Sequence, residues 1–190
     1  MNKKFLGKTL VASALVLTTL GSGVHSSYLG LDTNKVVKTA KAEENMTKND
    51  VWKGVRSSLL SSNFINGIGD ETVKVTYLDK NGESTHFSST ANHDTFHDES
   101  RDYSKLTEIE LEKNKNIPPE DYNTKLEANE AWHNITKTLK ENGLVSDGDK
   151  VTISTKDSTD PKITGTVGSE MNEHKGYNLN KREINKITIE

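Results

Sequence analysis

Two stretches of the chain carry apolar residues at intervals of three and four. These residues are Trp52, Val55 and Leu59 in the first stretch and Trp132, Ile135 and Leu139 in the second. Such intervals place side chains on one face, so both stretches are predicted to be amphipathic α-helices. Asp50, Asn129 and Glu130 lie in the predicted first turns, where they can satisfy free backbone N–H groups. Gly67 and Gly143 are predicted to end the two helices.

Each predicted helix is followed by residues that alternate between apolar and polar, which is typical of a half-buried strand. The alternating apolar positions are Val73, Val75 and Tyr77 after the first helix and Val151 and Ile153 after the second. Asn81-Gly82 predicts a hairpin turn into a strand at residues 85–89. In the second region, residues 157–161 are predicted to turn into a strand at residues 163–167.

A last strand closes each region. Its apolar residues are Leu106, Ile109 and Leu111 in the first region and Ile184, Ile187 and Ile189 in the second. The intervals are three and then two, whereas strict alternation would give two throughout. We therefore expect Ile109 and Leu111 to point inward and Leu106 to pack from the loop at the strand's entrance. The second region should do the same.

An internal duplication relates the two regions. Residues 49–52 (NDVW) align with residues 129–132 (NEAW) at an offset of 80, so both tryptophans occupy equivalent positions. The strands align at an offset of 78, beginning with Val73 and Val151. A loop between helix and strand can absorb the difference of two residues. The matches predict two superposable units, each with its tryptophan-bearing helix packed on a sheet.

The order of elements in each unit is helix, strand, strand, long loop, strand. One helix across a small mixed sheet would bury the apolar faces of both, which gives an α+β fold. The order, together with residues 179–189 (LNKREINKITI), resembles the β-grasp domain of staphylococcal superantigens and superantigen-like proteins and the repeats of the MAP (extracellular adherence protein) family. The resemblance implies two tandem β-grasp-like units. The predicted division is a signal peptide at 1–42, a first unit at 43–113, a linker at 114–125 and a second unit at 126–190.

The N-terminal residues have the character of an export signal. Three lysines precede an apolar stretch at residues 10–20, which is too short to cross a bilayer and suits a signal peptide. Residues 40–42 (AKA) form a small-x-small cleavage site, and a second possible site at residues 25–27 is nearer to the apolar stretch. Residues 33–42 resemble the end of the signal peptide of staphylococcal toxic shock syndrome toxin. This resemblance implies cleavage after Ala42 and secretion.

Composition narrows the classes of function. Residues 1–42 hold six lysines and one aspartate, which leaves 19 basic and 27 acidic residues and a net charge of −8 for the rest. An acidic chain lacks the electrostatic footprint of a nucleic-acid-binding protein. The chain has no cysteine, so disulfides, thiol nucleophiles and cysteine zinc sites are excluded. We also find no second apolar stretch long enough to cross a bilayer, and expect no membrane insertion.

One segment has the density of polar side chains expected of a binding site. Residues 92–99 (NHDTFHDE) contain His93 and His97, with His86 nearby, at a spacing that one helical turn would bring together. The resemblance to superantigens implies zinc as a candidate ligand. However, the segment has no helical pattern, and the equivalent stretch of the second unit, residues 171–176, keeps only His174. We therefore expect a solvated acidic loop and assign no metal-binding residue.

Motifs of nucleophilic catalysis are lacking in the sequence, which has neither Gly-x-Ser-x-Gly nor Ser-x-x-Lys. Residues 146–148 (SDG) are predicted to be an ordinary turn. Scattered Asp and Glu residues leave a glycoside hydrolase pair open, because their separation cannot be read from sequence. Trp52 and Trp132 are expected in the core rather than as exposed binding anchors. No catalytic residue and no cofactor are assigned.

These observations leave three functional hypotheses. The leading one is a secreted, non-enzymatic virulence protein that binds a host extracellular or leukocyte protein, as the resemblance implies. The alternative is an inhibitor of a host protease that inserts a long loop, residues 88–104 or 168–179, into a cleft. The third is a secreted hydrolase acting on cell wall or sugar, which requires carboxylates converging in a cleft between the units.

Overall fold

The computed structural model describes residues 46–114 and 124–190. The predicted signal peptide (1–42) and most of the predicted linker (114–125) therefore lie outside the described residues. All described residues fall within one unit, Asp32–Glu190.

The two helices form where the apolar spacing predicts them. Helix α1 spans Lys48–Ser61 and helix α2 spans Ala128–Glu141. At the start of α1, the side chains of Thr47 and Asp50 form a reciprocal capping box. At the start of α2, the Glu127 carboxylate accepts a hydrogen bond from the backbone N–H of Glu130. These caps satisfy backbone donors that a helical first turn leaves unpaired.

Both helices end in the same geometry, at residues that are 80 positions apart. Asn63 and Gly143 have left-handed backbones, with φ of 58° and 70°. The N–H of the next residue then donates back to the carbonyl of Leu59 or Leu139, at 2.8 and 2.9 Å. The predicted stop at Gly143 is confirmed, whereas the predicted stop at Gly67 is wrong. Helix α1 ends earlier because asparagine, like glycine, tolerates the left-handed conformation.

The chain forms one large sheet and one small one. The strands are β1 (Glu71–Asp79), β2 (Ser84–Thr90), β3 (Tyr103–Lys113), β4 (Lys125–Glu127), β5 (Lys150–Thr155), β6 (Ile163–Thr166), β7 (Asn178–Asn180) and β8 (Ile184–Ile189). Six of them form a sheet in the order β2-β1-β3-β8-β5-β6, and β4 pairs with β7. The α+β class is confirmed. Every pairing among the described strands is antiparallel, which differs from the predicted mixed sheet.

The antiparallel pairing follows from the connections in each half. A hairpin joins β1 to β2, and the loop at residues 91–102 then carries the chain to the other side of β1. Strand β3 therefore runs against β1, as β2 does. The second half repeats this arrangement with β5, β6 and β8.

The two halves meet in the middle of the large sheet. Ile109 of β3 pairs with Ile187 of β8, which is its own counterpart at the offset of 78. A residue that pairs with its own counterpart lies next to a two-fold axis. The halves therefore share a single sheet through an approximate internal two-fold axis.

The helices meet in the same reciprocal way. The amide of Asn142 donates to the Ser58 hydroxyl at 3.0 Å, and the hydroxyls of Ser62 and Thr138 lie 3.3 Å apart. At the offset of 80, Ser58 corresponds to Thr138 and Ser62 to Asn142, so each contact is the image of the other. Reciprocal contacts of this kind are the mark of a self-complementary, two-fold interface.

A bulge explains the irregular spacing of the closing strands. Thr76 pairs with Glu108 and Tyr77 with Leu106, so two residues of β1 face three of β3. The second half has the same shift between its equivalent residues of β5 and β8. An extra residue in one strand of an antiparallel pair is a β-bulge. Leu106 is buried as predicted, but it lies inside β3 rather than in the preceding loop.

Both tryptophans are buried, as predicted, with exposed fractions of 0 % for Trp52 and 2 % for Trp132. The indole N–H of Trp52 donates to the His93 carbonyl, and that of Trp132 donates to the Val151 carbonyl, each at 2.9 Å. The buried apolar residues of both halves form one cluster. The shared sheet and this shared core make the halves one packing unit.

A buried carboxylate fixes the turn between α1 and β1. Glu71 is 1 % exposed, and its carboxylate accepts backbone N–H groups from Asn66, Gly67 and Ile68 at 2.8 to 3.3 Å. Asp149, its counterpart at the offset of 78, accepts the N–H of Ser146 at 2.8 Å. A carboxylate in this position replaces the water that would otherwise satisfy the turn.

We expect Glu71→Ala to lower the free energy of unfolding by about 1–3 kcal/mol, because it leaves backbone N–H groups buried without an acceptor. Glu112→Ala on the exposed end of β3 is the matched control and should change stability by less than about 0.5 kcal/mol. Urea denaturation followed by circular dichroism measures both. Equal effects of the two substitutions would contradict the role given to Glu71.

Candidate functional site

The histidine-rich segment lies against the first turn of α1. The carbonyls of Asp98 and Ser100 accept the N–H groups of Asn49 and Lys48, at 3.3 and 3.1 Å. The Asn49 side chain in turn accepts the N–H of Phe96 at 3.1 Å. The segment is therefore a loop held by the helix, rather than a loop fixed only at its ends.

The second half holds its long loop with the equivalent residue. The amide of Asn129 donates to the carbonyls of Met171 and Glu173, at 2.8 and 3.0 Å. Asn129 corresponds to Asn49 at the offset of 80. The duplication thus explains these asparagines as positioning residues for the two loops.

The acidic side chains of the first loop are partly neutralised by cations of α1. Lys48 Nζ lies 3.0 Å from Asp98, and the Arg56 guanidinium lies 3.0 Å from Asp94. His93 contacts Ser89, while His86 lies on β2. Within residues 46–114 and 124–190, no group of three or more His, Asp or Glu side chains has the arrangement of a metal site.

The Asp98 carboxylate gives the loop a measurable acid sensitivity. Its pKa is lowered to about 2, first because the backbone N–H of Ser100 donates to it, and then through the Ser100 hydroxyl and Lys48. A carboxylate with a lowered pKa in the folded state stabilises the protein above its ordinary pKa of 3.8. That contribution is lost as the pH falls from about 4 towards 2.

We therefore expect Asp98→Asn to flatten the decline of unfolding free energy between about pH 4 and pH 2. The substitution removes the titrating group, while the amide oxygen can still accept the Ser100 N–H. Urea denaturation of both proteins at a series of pH values measures the slope. Parallel pH curves for the two proteins would contradict this role of Asp98.

A polar pocket of about 420 Å³ lies in the second half, beside the β4–β7 ribbon. Its charged lining residues are Lys125, Lys156, Arg182, Asp157, Asp160 and Glu183. The hydroxyls of Tyr177 and Thr155 donate to Asp160 at 2.7 and 2.8 Å. Hydrogen bonds from Thr159 lower the pKa of Asp157, whereas a general acid for glycoside hydrolysis needs a raised pKa. The environment of Asp157 therefore favours its ionised form.

The sequence pattern does not predict this pocket, because the two strands beside it, β4 and β7, have only three residues each. Such short strands leave no periodic pattern. The prediction for residues 146–148 is confirmed, because Gly148 closes a turn with φ of 98° and donates its N–H to Val167. Asp147 in the same turn contacts Lys140 at 2.6 Å.

The face of the large sheet that points away from the shared core is broad and mostly polar. One row of neighbours crosses all six strands and consists of His86, Thr76, Glu108, Thr188, Thr152 and Thr164. In and beside this row, Lys186 bridges Glu108 and Glu110 at 2.9 and 3.3 Å, and Lys74 contacts Glu110 at 2.7 Å. The hydrogen bond to Lys74 lowers the pKa of Glu110, and that to Glu108 raises the pKa of Lys186.

This row is continuous across the junction between the halves, because β3 and β8 pair there. Neither helix covers it, since the helices pack on the opposite face with the apolar residues. We call this surface the open face. In its central row, His86 is exposed and the other five residues are half-buried.

Residues 46–114 and 124–190 define an α+β fold, with two helices on one face of a six-stranded antiparallel sheet built from two repeated halves. Residues 47–189 match the family model described as "Domain of unknown function (DUF4888)". The chain therefore belongs to this family, and the match extends through both halves. The chain has no match among the curated proteins. Among the described residues, no helix is long and apolar enough to cross a membrane.

Proposed function

We propose that the protein is secreted after cleavage at Ala42 and acts as a non-enzymatic module that binds a host extracellular protein. The observation that supports this most is the open face, which presents hydroxyl and charged side chains in register across six strands. Among the residues that the sequence singled out, Trp52 and Trp132 are buried and hydrogen-bonded to backbone carbonyls, and the His93 ring contacts the Ser89 hydroxyl. The relation of each half to a β-grasp unit belongs to the same proposal and rests on the shared order of elements.

The open face is the broad surface of a sheet rather than a pocket, which favours a protein partner over a small molecule. Small ligands bind in concave pockets that bury most of their surface, whereas protein interfaces can be broad and carry a polar rim. Within the open face, the ion pairs of Lys186 fix the side chains in one arrangement, so less entropy is lost when a partner binds.

The test is capture by immobilised protein beginning at residue 43, from plasma and from leukocyte lysate. Any retained host protein is then purified, and its dissociation constant is measured against two variants. Thr188→Arg places a long side chain in the middle of the open face, next to Glu108. Ser169→Arg makes the same change in an exposed turn and is the matched control.

We expect Thr188→Arg to weaken binding by about tenfold or more, which corresponds to about 1.4 kcal/mol, while Ser169→Arg stays within about twofold of the wild type. Retention of no host protein above an unrelated bait of similar charge would contradict the proposed function. Equal binding by the two variants would contradict the placement of the interface on the open face.

A further inference from the structure

The two outer edges of the large sheet are formed by equivalent strands, β2 and β6. Val75 pairs with Phe87, and its counterpart Ile153 pairs with Ile163, so the outer strands are related by an offset of 76 and Ser84–Thr90 corresponds to residues 160–166. An outer strand presents unpaired backbone groups, which proteins normally protect with proline, lysine, a bulge or a short strand. The duplication therefore allows the two edges to be compared position by position.

The edge at β6 carries such protection. Pro161 and Lys162 stand where the first half has Thr85 and His86, and the strand itself has only four residues. Gly168, with φ of 83°, lies two residues beyond the strand and turns the chain away. This edge is short and ends in residues that do not favour pairing.

The edge at β2 carries none of these devices. Its seven residues (STHFSST) include no charged residue and no proline, and its pairing with β1 is free of register shifts over the whole strand. A regular, uncharged edge strand is a template for pairing with another strand.

The hydrogen bonds at the ends of β2 show which of its backbone groups point outward. The backbone N–H of Asp79 donates to the Glu83 carbonyl at 2.9 Å, and the N–H of Ala91 donates to the Glu71 carbonyl at 2.8 Å. Because the backbone groups of alternate residues point to the same side of a strand, the odd-numbered residues of β2 are hydrogen-bonded to β1. Thr90 also points outward, and its carbonyl accepts the N–H of His93 at 3.1 Å. The other outward-pointing N–H and C=O groups belong to three exposed residues: Ser84, His86 and Ser88. Within the described residues, no backbone group of another element pairs with them.

We propose that β2 pairs antiparallel with β2 of a second copy of this chain, forming a two-fold dimer with one continuous sheet. A two-fold axis at Phe87 places His86 opposite Ser88 of the other copy, and Phe87 opposite its own counterpart. Glu83 then faces Ala91, so no like charges are opposed. The pairing thus opposes no like charges, and it gives the outward-pointing backbone groups of both strands hydrogen-bond partners.

The aromatic side chains add to this complementarity. Phe87 lies on the core side of β2, and the ring of half-buried Phe96 lies 4.6 Å from its ring. In the proposed pairing the two Phe87 residues form a non-hydrogen-bonded pair, the closest kind of cross-strand neighbours. Aromatic side chains from both copies then line the core side of the junction.

The difference between the two edges favours a second copy as the occupant. With one open edge and one protected edge per chain, pairing through the open edge ends at two copies, because no further edge is available. Two open edges would instead produce filaments. The dimer does not depend on a host partner, and it would double the number of open faces and so allow avidity.

Light scattering after size exclusion, on the chain from residue 43, measures the assembly directly. An interface of this size is at the small end of the range, so we expect dissociation in the micromolar range and dimers at about 100 μM. Ser88→Pro removes an outward-pointing N–H and should leave monomers at this concentration. Thr166→Pro is the matched control on β6, where Thr166 also points outward because the backbone of its partner Lys150 is hydrogen-bonded to Glu190, next to β8.

Ser88→Lys is a second variant that places a charge on the edge without changing the backbone, and it should also leave monomers. Amide hydrogen exchange should show that His86 and Ser88 become protected as the wild-type concentration rises. Wild-type monomers at about 100 μM would overturn the proposal. So would dimers of Ser88→Lys, or a loss of dimers in Thr166→Pro equal to that in Ser88→Pro.

Discussion

Trp52→Ala and Trp132→Ala should each lower the free energy of unfolding by about 3–5 kcal/mol, a large share of the stability of a small domain. Each indole is buried and donates a hydrogen bond from its N–H. Removing the ring leaves a cavity in a core that both halves share. Because of this shared core, either substitution should destabilise the whole protein rather than one half.

Urea denaturation followed by circular dichroism measures the effect, with Tyr177→Ala as the control. Tyr177 is 36 % exposed, and its substitution should change the free energy of unfolding by less than about 1 kcal/mol. A change of less than about 1 kcal/mol for both tryptophan variants would contradict the packing described for α1 and α2.

Ile109→Ala and Ile187→Ala should each cost about 2–5 kcal/mol, and their effects should not be additive. Both residues are fully buried, and they pair with each other where the two halves meet. Residues in contact typically show interaction energies of about 0.5–3 kcal/mol in a double-mutant cycle. The cycle therefore measures the contact between the halves directly.

The control cycle pairs Ile109→Ala with Ile163→Ala. Ile163 is equally buried but lies on β6, three strands away from β3. Its effect should add to that of Ile109→Ala within about 0.5 kcal/mol. Additivity in both cycles would contradict the pairing of β3 with β8.

The sequence was sufficient to predict the repeated elements because their apolar residues repeat. The intervals around Trp52 and Trp132 predict both helices, and those around Ile109 and Ile187 predict both closing strands. The irregular interval of three predicts that Leu106 packs from the loop. The same interval results from a bulge inside a strand, and sequence spacing does not distinguish the two.

The merging of the halves could not be predicted from the pattern. An inward-facing Ile109 looks the same in a separate unit and in a sheet that continues into β8. The helix contact leaves a weak signal in small residues such as Gly54, where an added Cβ would lie 3.0 Å from Leu144. Small residues on a helix are too common to predict one particular contact.

Chemical motifs in the sequence also do not predict the surfaces described for the loop at residues 91–102 and for the edge of β2. The segment around His93 and His97 attracted attention through its composition, whereas the structure uses its backbone to cover the start of α1. The edge of β2 has no motif, because its groups belong to the backbone. Its distinctive feature is the lack of protection, which becomes visible only when residues 84–90 are compared with residues 160–166.

Unfolding followed in two single-tryptophan proteins tests the central claim, that the duplicated halves form one cooperative unit, most directly. Trp132→Phe leaves Trp52 as the fluorescent reporter of the first half, and Trp52→Phe leaves Trp132 as the reporter of the second. In each protein, urea unfolding is followed by tryptophan fluorescence and by far-ultraviolet circular dichroism. Because the halves share one sheet and one core, the fluorescence and circular dichroism transitions should coincide in both proteins. A circular dichroism transition that the remaining tryptophan does not report would show that the halves unfold separately, and would contradict the shared fold.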